Sequence, residues 1–292
     1  MNASTLLIFI ATALIGGSTA ALVKLVVFQF GPIPQLFLRA LFAALLLLPF
    51  LFKQKRLYEK KKFASVMLVS LLAAANGLFF AFGIGHTSVI MGQLIYTPTA
   101  IIVAILAWLF LKEKLTKNQI IGLFFTIAGI SILIMGSLKT KDVFSFGTPF
   151  GNLLIIAGLL SWSSYVVFSK KLSEVFSPLE ITFFNFLVTT SISFLILPFS
   201  LNTFNFEKVT LVGVFALISL TVFSTVLFFF FYQILIKRTS AFISSLVLYL
   251  NAVFAAGAGI IFYNEKLNVS LIIGATMIII GVIVSTYKKS KY

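Results

Sequence analysis

The chain has 292 residues, 60% of them hydrophobic and only 10% charged, with a formal net charge of +15. Soluble domains are about half apolar and a quarter charged, so a mean hydropathy of +1.14 excludes an ordinary soluble globule and points to a polytopic membrane protein. With no Cys, one His and seven acids, the chain lacks a disulfide framework and thiolate metal sites and has little for hydrolysis, so no catalytic group, metal or cofactor is expected.

A membrane-spanning helix needs about 20 mostly apolar residues, with a range of about 17–25. Residues 5–28 form the first such run. They contain Ser18-Thr19-Ala20, a weak cleavage-like triplet, but no basic segment precedes them, so they are read as a retained helix. Spans two to five follow at 35–52, 64–85, 88–111 and 117–136. After the polar segment SLKTKDVFSFGTPF at 137–150, five more follow at 151–169, 180–200, 209–235, 240–263 and 268–287. No run alternates with period two as a barrel strand would, and only closed helices satisfy their backbone in lipid, so the fold expected is all-α.

Lys and Arg set the orientation. With the N-terminus in the cytoplasm, the loops on that side hold 16 of the 22 bases, including Lys53, Arg56, Lys112, Lys170, Arg238 and Lys288. The outer loops hold four, Lys139, Lys141, Lys208 and Lys266, and Lys24 and Arg39 lie within apolar segments. Both termini are therefore expected in the cytoplasm, with the chain in the plasma (inner) membrane. The basic charge belongs to topology and lipid contact, so membrane lipid and not nucleic acid is the expected partner.

The second half repeats the first. Residues 88–115, SVIMGQLIYTPTAIIVAILAWLFLKEKL, match residues 240–267, SAFISSLVLYLNAVFAAGAGIIFYNEKL, at a constant offset of 152. Downstream, Gly122 and Gly129 match Gly274 and Gly281. Nearer the start, Gly16, Ser18, Lys24, Pro32 and Arg39 align with Trp162, Ser164, Lys170, Pro178 and Asn185 at an offset of 146. The units are 1–136 and 151–292, with 137–150 as linker. Five spans per unit is an odd number, so the second unit enters the membrane from the opposite side. The expectation is ten transmembrane helices as two inverted five-helix repeats around a central cavity, an architecture that suits alternating access. Gly122, Gly129 and Gly136, with Gly274 and Gly281, give close-packing faces read as core contacts in preference to a dimer seam, leaving a monomer or weak dimer.

Polar residues near mid-span mark the cavity. Ser18, Asn76, Gln93, Tyr96, Pro98, Trp162, Ser164, Tyr249 and Asn251 are the candidate lining residues; interhelical hydrogen bonding is the competing use of each. Pro98 removes a backbone donor and frees the carbonyl of Leu94. Lys24 and Arg39 are candidate charges at the outer mouth, able either to snorkel or to meet a carboxylate-bearing solute. No acid falls mid-membrane, so coupling through a buried mid-span acid is not expected and facilitated diffusion is the default.

Thr87-Ser88, Pro98, Glu113-Lys-Leu, Gly122 and Gly129, repeated as Thr239-Ser240, Glu265-Lys-Leu, Gly274 and Gly281, together with Trp162-Ser-Ser and Arg39, resemble the EamA-type members of the drug/metabolite transporter superfamily over nearly the whole chain. The resemblance implies a non-enzymatic membrane transporter of a small-molecule solute, an amino acid or related metabolite, with export the commoner direction. The alternatives are an exporter of multiple amphipathic compounds and a channel-like or structural membrane component. Two departures stand out: Gly16 where such families often have Trp, and Leu250 in place of a second Pro.

Overall fold

A computed structural model describes residues 1–52, 60–87, 92, 95–96, 98–138, 148–203, 209–254 and 269–286. Among these residues there is no strand. The helices are α1 (Ala3–Gly17), α2 (Thr19–Phe30), α3 (Pro32–Phe52), α4 (Lys60–His86), α5 (Thr99–Leu111), α6 (Lys117–Leu138), α7 (Pro149–Leu172), α8 (Pro178–Ile196), α9 (Leu211–Arg238), α10 (Ala241–Phe254) and α11 (Val269–Thr286). Five of them, α3, α4, α7, the α8 segment and α9, are long and apolar enough to cross a membrane. The bent pair α1 and α2 passes as one further span, and α5, α6, α10 and α11 contribute shorter apolar stretches. The protein is an all-α membrane protein, and helix is present in each of the ten apolar runs of the sequence. The linker proper, 139–147, lies outside the described residues.

Local sequence sets where these helices begin. Asn2 caps α1 by accepting from Thr5 N at 3.0 Å. Thr148, Thr210 and Ser240 do the same for α7, α9 and α10, accepting from Gly151, Gly213 and Ile243. Ser177 with Glu180 and Thr116 with Gln119 form reciprocal capping boxes, and Pro149 and Pro178 occupy the first helical turn, where the missing N–H costs nothing. One helix departs from the α-ladder: residues 220–227 of α9 wind as a π-helix, with Thr225 Oγ1 donating to Leu220 O at 2.8 Å. Such turns accommodate an extra residue and bend the span.

The first span, α1 with α2, runs antiparallel to α9. Arg238, at the end of α9, donates to Ser4 at the start of α1, while Thr210, at the start of α9, donates to Gln29 near the end of α2. One rim of the bundle, here the N-terminal face, thus carries the start of α1 and the ends of α5, α7 and α9. The opposite rim carries the ends of α2 and α4 and the starts of α7 and α9. α4 packs on α7 and α8, and α3 on α8. α6 and α11 pack chiefly on each other.

The α6–α11 seam is backbone against backbone. A Cβ on Gly129 would lie 2.7 Å from Gly274 O and 2.9 Å from Ile278 N, and one on Gly281 would lie 2.6 Å from Gly122 O. The glycines serve core packing, which is how small residues bring helices together where lipid supplies no hydrophobic drive. Gly129→Ala should overpack the seam and lower stability by about 1–3 kcal/mol. The exposed substitution Phe124→Leu should change it by about 0.5 kcal/mol or less. Thermal unfolding in detergent measures both, and equal effects would contradict the close approach.

Candidate functional site

The break in the first span lies at Ser18, between α1 and α2, whose axes differ by 42°. Ser18 is exposed, and its hydroxyl donates to Ile15 O at 3.1 Å. Two residues before it, Gly16 faces Asn251 of α10. A Cβ at position 16 would sit 2.7 Å from Asn251 Cγ, closer than side chains approach. With its amide oriented to satisfy both neighbours, Asn251 donates to Ala13 O and Val247 O, each at 3.0 Å. The small residue on α1 and the amide on α10 are therefore one fitted contact, which accounts for the departure at Gly16.

A second polar contact joins α4 and α7 to Tyr96, just ahead of α5. Asn76 Nδ2 donates to the Tyr96 hydroxyl at 2.5 Å and to Gly158 O at 3.0 Å. A Cβ on residue 158 would lie 2.8 Å from that hydroxyl, so glycine is required there. Tyr96 also meets Phe80 edge to face at 5.7 Å. Pro98 directly precedes α5, and its carbonyl accepts from Ile101 N and Ile102 N. Gln93, and Leu94 with its carbonyl, lie outside the described residues.

Trp162 is buried in an aromatic cluster. Its ring lies 5.4 Å from Tyr165, 5.2 Å from Tyr232 and 5.7 Å from Phe229. The Tyr232 hydroxyl lies against Trp162 and Ser244, although neither it nor Trp162 Nε1 forms a well-aligned hydrogen bond. Tyr249 and Tyr96 pack against the same core, with Tyr249 buried; Ser164 is half-buried. Directly beneath Trp162 runs a polar chain that sequence reading missed. Ser70 donates to Asn185 Oδ1 at 3.0 Å, and Asn185 Nδ2 donates to the Tyr165 hydroxyl at 2.5 Å. Gln233 Nε2 donates to the same hydroxyl, and Ser169 donates to Gln233 Oε1 at 2.9 Å. It ties α4, α8, α7 and α9 together. The signal was Gln233 itself, an amide inside the apolar run of α9 that had to find a partner.

The charges are disposed unequally. Lys24 donates to Thr87 O at 3.0 Å, so its ammonium holds the end of α4. Arg39 is half-buried on α3 and makes no hydrogen bond or ion pair with the described residues. On the N-terminal face, Lys170 donates to Ile236 O at 2.9 Å, Lys237 O at 3.3 Å and Thr239 O at 2.6 Å. Nearby, α5 ends as Lys112 enters the left-handed region at φ 57° and Glu113 N donates to Ala107 O at 3.2 Å. A non-glycine residue there costs about 1–2 kcal/mol. The turn aims Glu113 into a cavity of about 190 Å³ lined by Ala104, Ala107, Lys114, Leu115, Gln119, Ser240 and Phe242. Burial pushes the Glu113 carboxyl above its usual range, against the opposing pull of the Lys170 charge and of the Ala241 N–H. None of the eight described candidate lining residues borders this cavity. Among the described residues no group of three or more acids and histidines is placed to hold a metal.

The chain belongs to the EamA-like transporter family, which matches it twice, over residues 3–135 and 149–287. It is 28% identical to the uncharacterized transporter YyaM of Bacillus subtilis (strain 168), over 92% of this chain and 89% of that one. An uncharacterized transporter of Archaeoglobus fulgidus is 25% identical over 99% of both chains. Another from Bacillus subtilis, YetK, is 27% identical over 96% of this chain and 86% of its own length. A solved crystal structure superposes with a TM-score of 0.77 at 16% identity, over 98% of this chain and 97% of the other, which shows a shared fold.

Three substitutions test the site as built. Gly16→Ala should destabilise the protein, and pairing it with Asn251→Ala should recover more than half of the loss; additive losses in thermal unfolding would contradict the fitted contact. Tyr165→Phe leaves the Asn185 and Gln233 amides without their shared acceptor. It should cost about 1–2 kcal/mol in the same assay, and no loss would contradict the chain of bonds.

Proposed function

We propose that this member of the EamA-like family is a secondary transporter that exports small organic solutes, amino acids or related metabolites, by alternating access of two inverted five-helix halves. The matched pairs of contacts carry this reading. The 152-residue offset sends Gly122 to Gly274 and Gly129 to Gly281, and the close contacts are Gly122 with Gly281 and Gly129 with Gly274. Exchange of partners in this way is what a two-fold axis between the halves requires. The bond from Lys24 to Thr87 O in the first half has its counterpart from Lys170 to Thr239 O in the second, at offsets of 146 and 152. The two bonds lie on opposite faces of the bundle, which supports inversion over simple tandem repetition.

Two halves of this kind have two packings of similar energy, and exchanging them moves a central site from one face to the other. The break at Ser18 and the π-turn of α9 supply bends near the middle of their spans. The lysine-rich loops favour an arrangement with both termini in the cytoplasm of a plasma-membrane protein. The aromatic surface around Trp162, built with Tyr165, Tyr232 and Phe229, favours a solute with an aromatic or amphipathic body.

Counterflow in liposomes tests the proposal. Purified protein should exchange labelled amino acids or related metabolites from a broad panel at carrier rates, and Trp162→Ala should slow the preferred solute about tenfold, the equivalent of about 1.4 kcal/mol. Failure with every amino acid, metabolite and dye would overturn the transport reading, and flux at channel rates would overturn alternating access.

A further inference from the structure

Glu-Lys-Leu closes the fourth apolar run of each half, at residues 113–115 and 265–267. Glu113 ends α5 in the first half, yet it points at the second half, where it meets the Ala241 N–H of α10 and the field of Lys170 on α7. It therefore sits at the seam where the halves close on the N-terminal face. Its Oε2 is buried and accepts no hydrogen bond.

Lys170 is the counter-charge from the facing half, but it does not neutralise Glu113 by contact. An ammonium has three N–H donors, and all three are spent on Ile236 O, Lys237 O and Thr239 O. Lys170 acts on Glu113 only through space. Lys112 and Lys114 of its own turn are both exposed, Lys114 bordering the cavity, and exposed Glu174, just beyond α7, shares the field of Lys170 with Glu113. Gln119 of α6 and Ser240 of α10 face it without charge. A carboxylate in this position has lost water on one oxygen and gained no direct cation in return.

We propose that Glu113 is a proton-binding site whose occupancy favours closure of the N-terminal face. An ionised carboxylate is better solvated when the seam parts, and a neutral carboxyl is better tolerated when it closes. The sign follows from linkage: the form with the higher proton affinity is the closed one, so acid stabilises closure and alkali favours opening. This would give the carrier a proton-sensitive step at the end of a span despite its lack of a mid-membrane acid. The inference rests on the two-half reading above, but its test needs no solute, so the two can fail separately.

Full-length protein in lipid nanodiscs, spin-labelled at cysteines replacing Lys117 and Lys171, reports the seam distance between about pH 5 and about pH 9. The short-distance population should grow on acidification, with a midpoint above the ordinary glutamate value of about 4.3. Glu113→Gln should hold the short distance throughout. Lys170→Met, which removes the through-space counter-charge, should move the midpoint up by about one pH unit, and Lys170→Arg should leave it in place. A distance that ignores pH in the wild type, or a Glu113→Gln protein that keeps the wild-type response, would overturn the proposal. If Lys170→Met does not fold, the glutamine variant decides the matter alone.

Discussion

Inside a bilayer every backbone N–H and C=O must find its partner within the protein, and this constraint shapes the whole chain. It confines the spans to closed helices and puts Ser, Thr and Asn at their starts. It also makes each interruption costly. The breaks that persist, at Ser18 and in the π-turn at 220–227, lie against polar side chains or other helices. The same constraint governs the amides. Asn76, Asn185, Gln233 and Asn251 all bond to carbonyls or hydroxyls of other spans, so each also acts as a cross-tie.

Duplication supplies the architecture, and divergence supplies the site. Where the halves are alike, they make like contacts: glycine on carbonyl along α6 and α11, and lysine on the last carbonyls of a neighbouring span. Where they differ, chemistry concentrates. Gly16 accepts a neighbour's amide, whereas its counterpart Trp162 fills an aromatic cluster. Arg39 has no partner among the described residues, whereas its counterpart Asn185 is bonded on both sides. These positions break the likeness of the two halves, and in the proposed carrier they would give an asymmetric solute an asymmetric centre to meet.

Much of this was legible in the sequence. Apolar runs located the helices, and the spacing of Gly122, Gly129, Gly274 and Gly281 marked a close-packing face on each of α6 and α11 but not that the two faces meet. The bend at Ser18 was not legible, because Gly-Gly-Ser-Thr also suits an unbroken helix. The partners of the cavity candidates were hidden for a different reason. A periodic pattern tells which residues are polar but not which spans they face, so nothing singles out Tyr165, three residues beyond Trp162, although it anchors a four-helix network. Glu113 was read as a helix-end charge, since its burial depends on α7 and α10, which follow much later in the chain.

The proposed inversion stands at the centre of this account, and the absence of cysteine makes it directly measurable. Single cysteines replacing Lys62, Ser145 and Ser290 can be reacted in intact cells with a thiol reagent that does not cross membranes. The account predicts labelling at 145 alone, with 62 and 290 protected until the membrane is opened. Labelling of 145 from the same side as 62 and 290, or of 62 and 290 from opposite sides, would contradict it.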